Sequence, residues 1–389
     1  MALIDDKAVS PDAEPTALPP VVKKEDKRSE ESQWRLMVSK FMQHKLAVVG
    51  FIIVCLIYLI SIFAEFVAPY PGETTRPRFS NIPPQPLHFV DESGQLSAPF
   101  VYGLQRAFDD ATATLTYTAD PEQKHYFRFF IEGSPYRLLG LIPTNIHLFG
   151  VEGGEWFAAG TDRLGRDQLS RIIIGGRIST SIGLIGVTLS LVLGVIIGGI
   201  SGYRGGLVDS FVQRLIDFVN SIPTLPLWMA LSAAMPANLN PLITYFGITV
   251  ILSLIGWTGV ARVTRTKFIS IKNEDFVLAA RLSGASPARV IRKHMLPSFA
   301  SHLIAVTTLA IPAVIIGETS LSFLGLGLRA PVVSWGVLLQ EAQNIRTVAL
   351  YPWLLLPGVA VIVTVLAFNF MGDGLRDAAD PYTQLKAKG

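Results

Sequence analysis

The stretch NEDFVLAARLSGASPARVIRKHMLP occupies residues 273–297 and lies between two hydrophobic spans, so it forms a loop at one face of a membrane. Asn273 can cap a helix whose first turn carries Glu274 and Asp275, where negative charge suits the positive end of the helix dipole. Gly284 supplies the positive φ that is common just after a helix end. These signals predict a first short helix that stops before Gly284.

A second helix is predicted in the same loop. Ser286 can cap it, and Pro287 occupies its first position, where a missing N–H costs nothing. This helix should end before Pro297, because the residue before a proline is pushed out of the α region. The loop is therefore predicted to be a helix, a glycine hinge and a second helix.

The composition is that of an integral membrane protein. Of 389 residues, 50% are hydrophobic and 16% are charged, with a mean hydropathy of +0.43, whereas soluble domains carry roughly 25% charged residues. The net charge of +3 is too small to indicate a nucleic-acid partner. Cys55, the single cysteine, lies in the first apolar span and cannot form an internal disulfide. No cleavable signal is recognised, so the first span is expected to act as a retained anchor.

Six hydrophobic segments are predicted to cross the bilayer, which takes about 20 residues each. They cover residues 46–64, 178–203, 211–234, 242–261, 299–324 and 347–371. Gly194, Gly198 and Gly202 repeat every four residues in the second span, a spacing that permits close helix packing. Arg214 and Asp217 are three residues apart in the third span and are expected to form a local ion pair.

Five regions follow from these spans. They are a tail at 1–45, the first membrane helix at 46–68, an insertion at 69–177, a membrane core at 178–371 that contains the loop 263–297, and a tail at 372–389. The first 32 residues are predicted to be disordered, and 34–45 to be an amphipathic basic segment on the membrane surface. The insertion is expected to be mostly β or irregular rather than a loose loop.

The positive charges set the orientation. An even number of spans puts both termini on one side of the membrane, and loops rich in Lys and Arg stay in the cytoplasm. The loop 263–297 is rich in both, whereas the loop 325–346 has only Arg329 and Arg346. Both termini and the loop 263–297 are therefore predicted to be cytoplasmic, and the insertion to be periplasmic.

The loop resembles the EAA loop of ABC-importer permease subunits. The match comprises Ala279-Ala280, then Gly284, then His294-Met295-Leu296-Pro297, with Leu278 where the family often has Glu. His294 agrees with the dipeptide/oligopeptide branch. In that family the loop is a coupling helix that docks into a groove on the ATPase subunit. The implied docking residues are Leu278, Ala279, Ala280, Arg281, Gly284, Arg289, His294, Leu296 and Pro297. The alternative is an amphipathic basic loop that lies on anionic lipid.

A second segment, GTDRLGRD at 160–167, resembles the stretch before the second span in the same branch. Thr161 or Asp162 can cap an amphipathic helix that leads into the membrane, from which Arg171 and Arg177 would face outward and snorkel. The resemblance implies a periplasmic scoop or gate helix near the binding-protein dock. Its candidate residues are Asp162, Gly165, Arg166, Asp167, Arg171 and Arg177. The alternative is a simple interfacial helix.

Glu318 is the ionisable residue that lies deep in a predicted span. A carboxyl group at that depth faces the bundle interior or a cavity and is a functional-site hypothesis, here for the translocation path. The alternative is an internal hydrogen bond to Ser320, Ser322 or another span.

Several chemistries lack their motifs. The chain has no G-x-x-x-x-G-K-[ST] phosphate loop and no paired His/Cys cluster for a metal. An intramembrane serine protease would have to use Ser201 with His302 as its base. An ion-coupled secondary transporter would normally show several intramembrane ionisable groups or an inverted repeat.

The sequence predicts an all-α polytopic membrane protein with six spans and a large periplasmic insertion between the first two. The resemblance implies a permease subunit of a binding-protein-dependent ABC importer in a bacterial inner membrane. Its implied partners are a second, homologous permease, two ATPase subunits that bind ATP and Mg, and a periplasmic solute-binding protein. No cofactor, catalytic residue or metal is expected in this chain. The family prior for the substrate is peptide, with oligosaccharides, opines or nickel as alternatives.

Overall fold

A computed structural model of the chain describes residues 33–91, 94–109, 114–236 and 239–379. The tail predicted at 1–32 and the last ten residues of the C-terminal tail lie outside these ranges. Helix α1 covers Gln33–Gln43, within the segment predicted to lie on the membrane surface. His44 then caps the next helix, because its Nδ1 accepts a hydrogen bond of 3.1 Å from the Ala47 amide.

Five of the described helices are long and apolar enough to cross a membrane. They are α2 (Lys45–Ile62), α4 (Gln168–Arg204), α7 (Pro241–Ile271), α11 (Ala300–Phe323) and α14 (Leu356–Ala379), the last extended by the 3₁₀ turn Pro352–Leu355. The short α3 (Ala64–Val67) follows α2. Two further short helices, α12 (Trp335–Gln340) and α13 (Ile345–Leu350), follow α11. The helical membrane class is confirmed.

The predicted third span is not one helix. Residues 211–234 divide into α5 (Gly206–Ser221) and the ten-residue α6 (Thr224–Ala233). Ile222 is extended, with φ −91° and ψ 128°, because Pro223 disfavours the α region for the residue before it. Ten helical residues span about 15 Å, half of the hydrocarbon thickness. The described part of the chain therefore gives five long spans where six were predicted.

Glycines allow α4 to lie against α7. A side chain at Gly194 would come within 2.6 Å of Val260 Cβ, and one at Gly202 within 2.7 Å of the Arg265 carbonyl oxygen. Gly198 would clash with the Ala261 backbone in the same way. The four-residue spacing of these glycines is therefore a packing feature, as predicted.

The insertion contains a four-stranded antiparallel sheet in the order β1-β2-β3-β4. The strands are β1 (His88–Val90), β2 (Leu96–Asp109), β3 (Thr114–Leu138) and β4 (Ile142–Val151). The long β3 pairs with β2 over its first half and with β4 over its second half. His147 Nδ1 lies 2.7 Å from the Ala68 carbonyl oxygen and ties β4 to the end of α3. Of the two forms predicted for the insertion, mostly β or irregular, the described residues contain this sheet.

Candidate functional site

The first helix of the loop, α8, covers Asp275–Leu282 and ends in a Schellman motif. The Gly284 amide donates to the Arg281 carbonyl at 2.9 Å, and the Ala285 amide to the Ala280 carbonyl at 3.1 Å. Gly284 has φ +79°, as predicted. The N-cap is Glu274 rather than Asn273, and it caps through its backbone alone. The predicted cap was therefore one residue too early.

The second helix, α9, covers Pro287–Val290 with Ser286 at the N-cap position, although no side-chain bond forms there. It does not stop before Pro297. A π turn over Ile291–Met295 continues into α10 (Leu296–Ser298), and the chain breaks only at Phe299, with φ −130°. Proline clashes with the carbonyl four residues before it in a regular α-helix, and the wider π turn accommodates the Pro297 ring. The restriction that proline places on the residue before it therefore predicted a helix end two residues before the observed one.

The inner face of the loop is packed against the membrane helices. Val277, Val290 and Met295 are fully buried and form a cluster with Phe268 of α7 and Phe299 before α11. The Arg281 guanidinium lies 5.0 Å from the centre of the Tyr203 ring at the end of α4. A displacement of the loop must therefore move the ends of three membrane helices.

The outer face of α8 is uncovered and carries three large apolar side chains. Leu282 is 89% exposed, and Phe276 and Leu278 are 43% and 39% exposed. A Cβ added at Gly284 would meet no atom within 4 Å. Sequence reasoning missed Phe276 and Leu282, which the helical period identifies once Val277 is taken as the buried anchor.

The predicted docking residues divide between the two faces of the loop. Leu278, Ala279, Arg281, Gly284, Arg289 and Pro297 are exposed, whereas Ala280, His294 and Leu296 are half-buried. The exposed members are free to contact another protein, and the half-buried ones support the loop from beneath.

A buried ion network organises the GTDRLGRD segment. Asp162 is fully buried, and its Oδ2 accepts bonds from Arg166 Nε at 2.6 Å and Arg171 Nη1 at 2.5 Å. Arg166 Nη2 also donates to Glu341 Oε1, at 2.7 Å, in the loop after α12. The network joins the start of α4 to the segment between α11 and α14. Arg171 therefore does not snorkel outward as predicted, because it is paired inside the fold.

Helix α4 is capped by Asp167, not by Thr161 or Asp162. Asp167 Oδ2 accepts a bond of 2.7 Å from the Ser170 amide. Burial raises the pKa of this carboxyl to about 6, although bonds from Ser170 and the charge of Arg76 act in the opposite direction. Gly165 has φ +70°, and a side chain there would clash with the Arg76 backbone. These residues fix the turn into α4 and are inaccessible to a large partner.

Arg177 holds the end of α2. Its Nε donates to the Ser61 carbonyl at 2.8 Å, and its Nη2 donates to the Ile62 carbonyl at 3.1 Å and to Glu65 Oε2 at 2.5 Å. Burial raises the pKa of the Glu65 carboxyl, but the hydrogen bond and charge of Arg177 outweigh it and lower that pKa overall. The predicted outward, lipid-facing Arg177 is therefore a helix-end clamp.

Glu318 is fully buried and accepts hydrogen bonds from three serines. Ser334 and Ser322 donate to its Oε1 at 2.7 and 2.8 Å, and Ser179 donates to its Oε2 at 3.1 Å. These contacts support the internal hydrogen-bond alternative, with Ser322 as the local partner and Ser179 as the partner from α4. The path role stays a prediction, and the carboxylate reaches no surface in this conformation.

Two ion pairs near the ends of α5 and α7 differ from the predicted Arg214–Asp217 pair. Asp217 pairs with Arg262 at 2.7 Å, and Asp209 pairs with Arg265 at 2.5 Å. Ser201, the candidate nucleophile, is buried and donates a 2.5 Å bond to Asp209. Over the described ranges no hydrogen bond joins Ser201 to His302, so the arrangement lacks the base that a serine protease needs.

Comparisons with known proteins agree with the family resemblance of the loop 263–297. Residues 191–384 match the model of binding-protein-dependent transport system inner membrane components, and residues 32–84 match the N-terminal TM domain of oligopeptide transport permease C. The sheet lies between these two matched segments.

The chain is also similar to curated permease proteins of Bacillus subtilis and Haemophilus influenzae. The oligopeptide transport system permease protein OppC of Bacillus subtilis is 31% identical over 90% of this chain and 90% of its own length. The dipeptide transport system permease protein DppC of that organism is 40% identical over 58% of this chain and 68% of its own length. The OppC of Haemophilus influenzae is 37% identical over 66% of this chain and 78% of its own length.

Proposed function

The chain belongs to the binding-protein-dependent transport system inner membrane components, as an oligopeptide/dipeptide ABC permease subunit, and from this premise we propose how it works. It forms one half of the translocation pathway of an ATP-driven importer for peptides. The names of its relatives support peptides over the oligosaccharides, opines or nickel that the branch also admits. Both termini and the loop 263–297 face the cytoplasm, as the Lys and Arg distribution supports. The 4.0 Å approach of His44, which caps α2, to Asp377 of α14 supports one side for both ends of the chain, although only five long spans are described.

The proposal rests on the two faces of α8. The outer face carries the exposed Phe276, Leu278 and Leu282, on a helix that is anchored by the buried Val277. An uncovered apolar helix face fits a hydrophobic groove on a partner. The groove belongs to an ATPase subunit, which supplies the phosphate-binding loop that this sequence lacks and binds ATP and Mg.

The buried inner face of the loop couples movement of the ATPase subunits to the membrane helices. When ATP binding draws the ATPase subunits together, α8 moves with its groove. Val277, Val290 and Met295 are fully buried in one cluster with side chains of the membrane helices, so the movement passes to α7 and α11 rather than being absorbed within the loop. The permease opens to one side or the other without performing chemistry of its own. A second, homologous permease completes the pathway, and a solute-binding protein delivers the peptide outside.

The test is recovery of partner subunits with the tagged chain from detergent-solubilised native membrane. Gly284→Trp places a large ring on the outer face of the loop, where a Cβ meets nothing within 4 Å. Gly94→Trp is the matched control, since Gly94 has the same kind of backbone, with φ +78° and no neighbour within 4 Å, in the sheet region. Both changes carry a similar backbone cost of about 1 kcal/mol.

The wild-type chain and Gly94→Trp should recover two ATPase subunits and a second permease, and Gly284→Trp should recover the second permease alone. ATPase recovery that is unaffected by Gly284→Trp would contradict docking through this loop. Peptide uptake that persists without any ATPase partner would instead favour an ion-coupled secondary transporter.

A further inference from the structure

A crevice of about 1180 Å³ opens at the end of the bundle that carries α8 and α9. Its walls come from helices that are distant in sequence, namely α1, the start of α2, the end of α7, the turn from α10 into α11 and the end of α14. None of the docking residues proposed above lines it. The crevice is therefore a separate feature from the coupling surface.

Three basic side chains meet in this crevice. Lys267 of α7, His302 of α11 and Arg376 of α14 all line it, and both Lys267 and Arg376 act electrostatically on the His302 ring. None of these three side chains forms a hydrogen bond or an ion pair with another residue in the described part of the chain. Basic groups that converge from three helices without a carboxylate partner leave a positive potential, which attracts an anion.

The acidic residues of the crevice do not cancel this potential. Asp377 faces His44, with 4.0 Å between His44 Nε2 and Asp377 Oδ2. Asp373 lines the crevice one helical turn from Arg376 and is the remaining carboxylate. Lys40 and Asp377 each make a further interaction of their own, so Lys267 and Arg376 give two positive charges against the one negative charge of Asp373. The site therefore suits an anion of low charge.

The rest of the wall is hydrocarbon. Leu36, Leu46 and Phe370 line the crevice beside the charged groups. On the same side of the fold, α1 exposes two large apolar side chains, Val38 at 59% and Met42 at 61%. An amphipathic helix with an uncovered apolar face lies in the interface of a bilayer. The crevice thus presents cations next to apolar surface at the depth where lipid headgroups meet acyl chains.

We propose that this crevice binds one anionic phospholipid from the adjacent leaflet. The phosphodiester lies between Lys267 and Arg376, and an acyl chain runs along Leu46 and Phe370. The bound lipid bridges α1 to α11 and α14, so it fastens the amphipathic helix to the bundle. This function is independent of the substrate and of ATPase docking.

Native mass spectrometry of the full chain, purified with its accompanying subunits, tests the proposal. The preparation is exchanged into dioleoyl phosphatidylglycerol or dioleoyl phosphatidylcholine, and retained lipid is counted. Lys267→Gln with Arg376→Gln removes the two central cations. Arg292→Gln with Lys293→Gln is the matched control, because it removes one arginine and one lysine that are exposed on the loop at the same end of the bundle.

Each cation near a membrane surface strengthens attraction for an anionic headgroup several-fold, so the crevice pair should lower the preference for phosphatidylglycerol by at least about tenfold. The control pair should change it less than about twofold, and Asp373→Asn should raise it. An equal loss in both pairs would overturn the proposal in favour of diffuse surface charge. Displacement of the lipid by millimolar inorganic phosphate would likewise overturn it, since the site would then hold a free anion.

Discussion

Ser334, the N-cap of α12, donates a hydrogen bond of 2.7 Å to Oε1 of Glu318 in α11, which lies 16 positions earlier in the sequence. The same serine oxygen accepts a bond of 3.2 Å from the Val337 amide. Ser179 acts likewise, since it donates to Glu318 and accepts from the Trp335 amide at 3.1 Å. One buried carboxylate therefore holds the segment after α11 through serines that relay its charge to backbone amides.

Glu318→Ala should lower the stability of the permease by about 3 kcal/mol, because three hydroxyl groups lose their acceptor and each such bond contributes about 1 kcal/mol. Glu318→Gln should cost about 1 kcal/mol, since its amide oxygen still accepts from two serines. The measurement is the thermal denaturation midpoint of the purified complex. Ser320→Ala is the control, because Ser320 lies in the same helix and makes no side-chain hydrogen bond within the described residues.

Peptide uptake per folded complex distinguishes the two roles that Glu318 can have. If the residue holds the fold, Glu318→Gln transports at a rate within about twofold of wild type, in line with its small loss of one hydrogen bond. A variant with a wild-type midpoint and no transport would contradict the structural role and restore the path hypothesis.

Asp162→Asn should be the most damaging single change in the segment before α4. It leaves Arg166 and Arg171 to share Glu341, and breaking a buried ion pair costs about 3 kcal/mol or more. Arg163→Gln, an exposed neighbour, should leave the denaturation midpoint unchanged. A midpoint for Asp162→Asn equal to that of Arg163→Gln would show that the network contributes nothing.

The sequence alone predicted the parts of this molecule that obey local rules. Gly284 ends α8 with a positive φ, and the glycines of α4 meet α7, because both outcomes depend on the absence of a side chain at a fixed position. The prediction of one span at 211–234 was wrong, because a hydrophobicity pattern does not show the break in the helix at Pro223.

Partners across the fold could not be predicted. Arg171 and Arg177 have the spacing and neighbours of snorkelling residues, and only the folded chain brings Asp162 and Glu65 to them. Asp217 likewise forms its ion pair with Arg262 of another helix and not with Arg214, which is three residues away in the sequence. Long-range ion pairs depend on helix packing, which one sequence without its fold does not specify.

Asp167 should make stability depend on pH. Its folded-state pKa of about 6 lies above its ordinary value of 3.8, so the folded chain holds the proton more tightly than the unfolded chain between these values. The contribution to stability therefore falls as pH rises from about 4 to about 6, by about 3 kcal/mol in total, and is constant above.

Asp167→Asn keeps a capping side chain and cannot titrate. The gain in stability of this variant over wild type should be absent near pH 4 and should grow until about pH 6. The measurement is the denaturation midpoint of both proteins across that range. Asp275→Asn, at the exposed start of α8, is the control and should leave the slope unchanged. If stability depends on pH as strongly in Asp167→Asn as in wild type, the pH dependence comes from other groups.

Leu282→Asp should weaken ATPase docking more than any change to the half-buried residues of the loop. The side chain is 89% exposed, so replacing it costs the isolated permease little, yet it places a charge in the apolar groove that receives α8. Leu96→Asp is the matched control, because Leu96 is 87% exposed in the sheet. We expect ATPase recovery to fall about tenfold or more for Leu282→Asp, as loss of a buried leucine contact implies, and to be unchanged for Leu96→Asp. Equal recovery for the two variants would mean that the outer face of α8 meets lipid or solvent, and the coupling surface would have to be sought elsewhere on the loop.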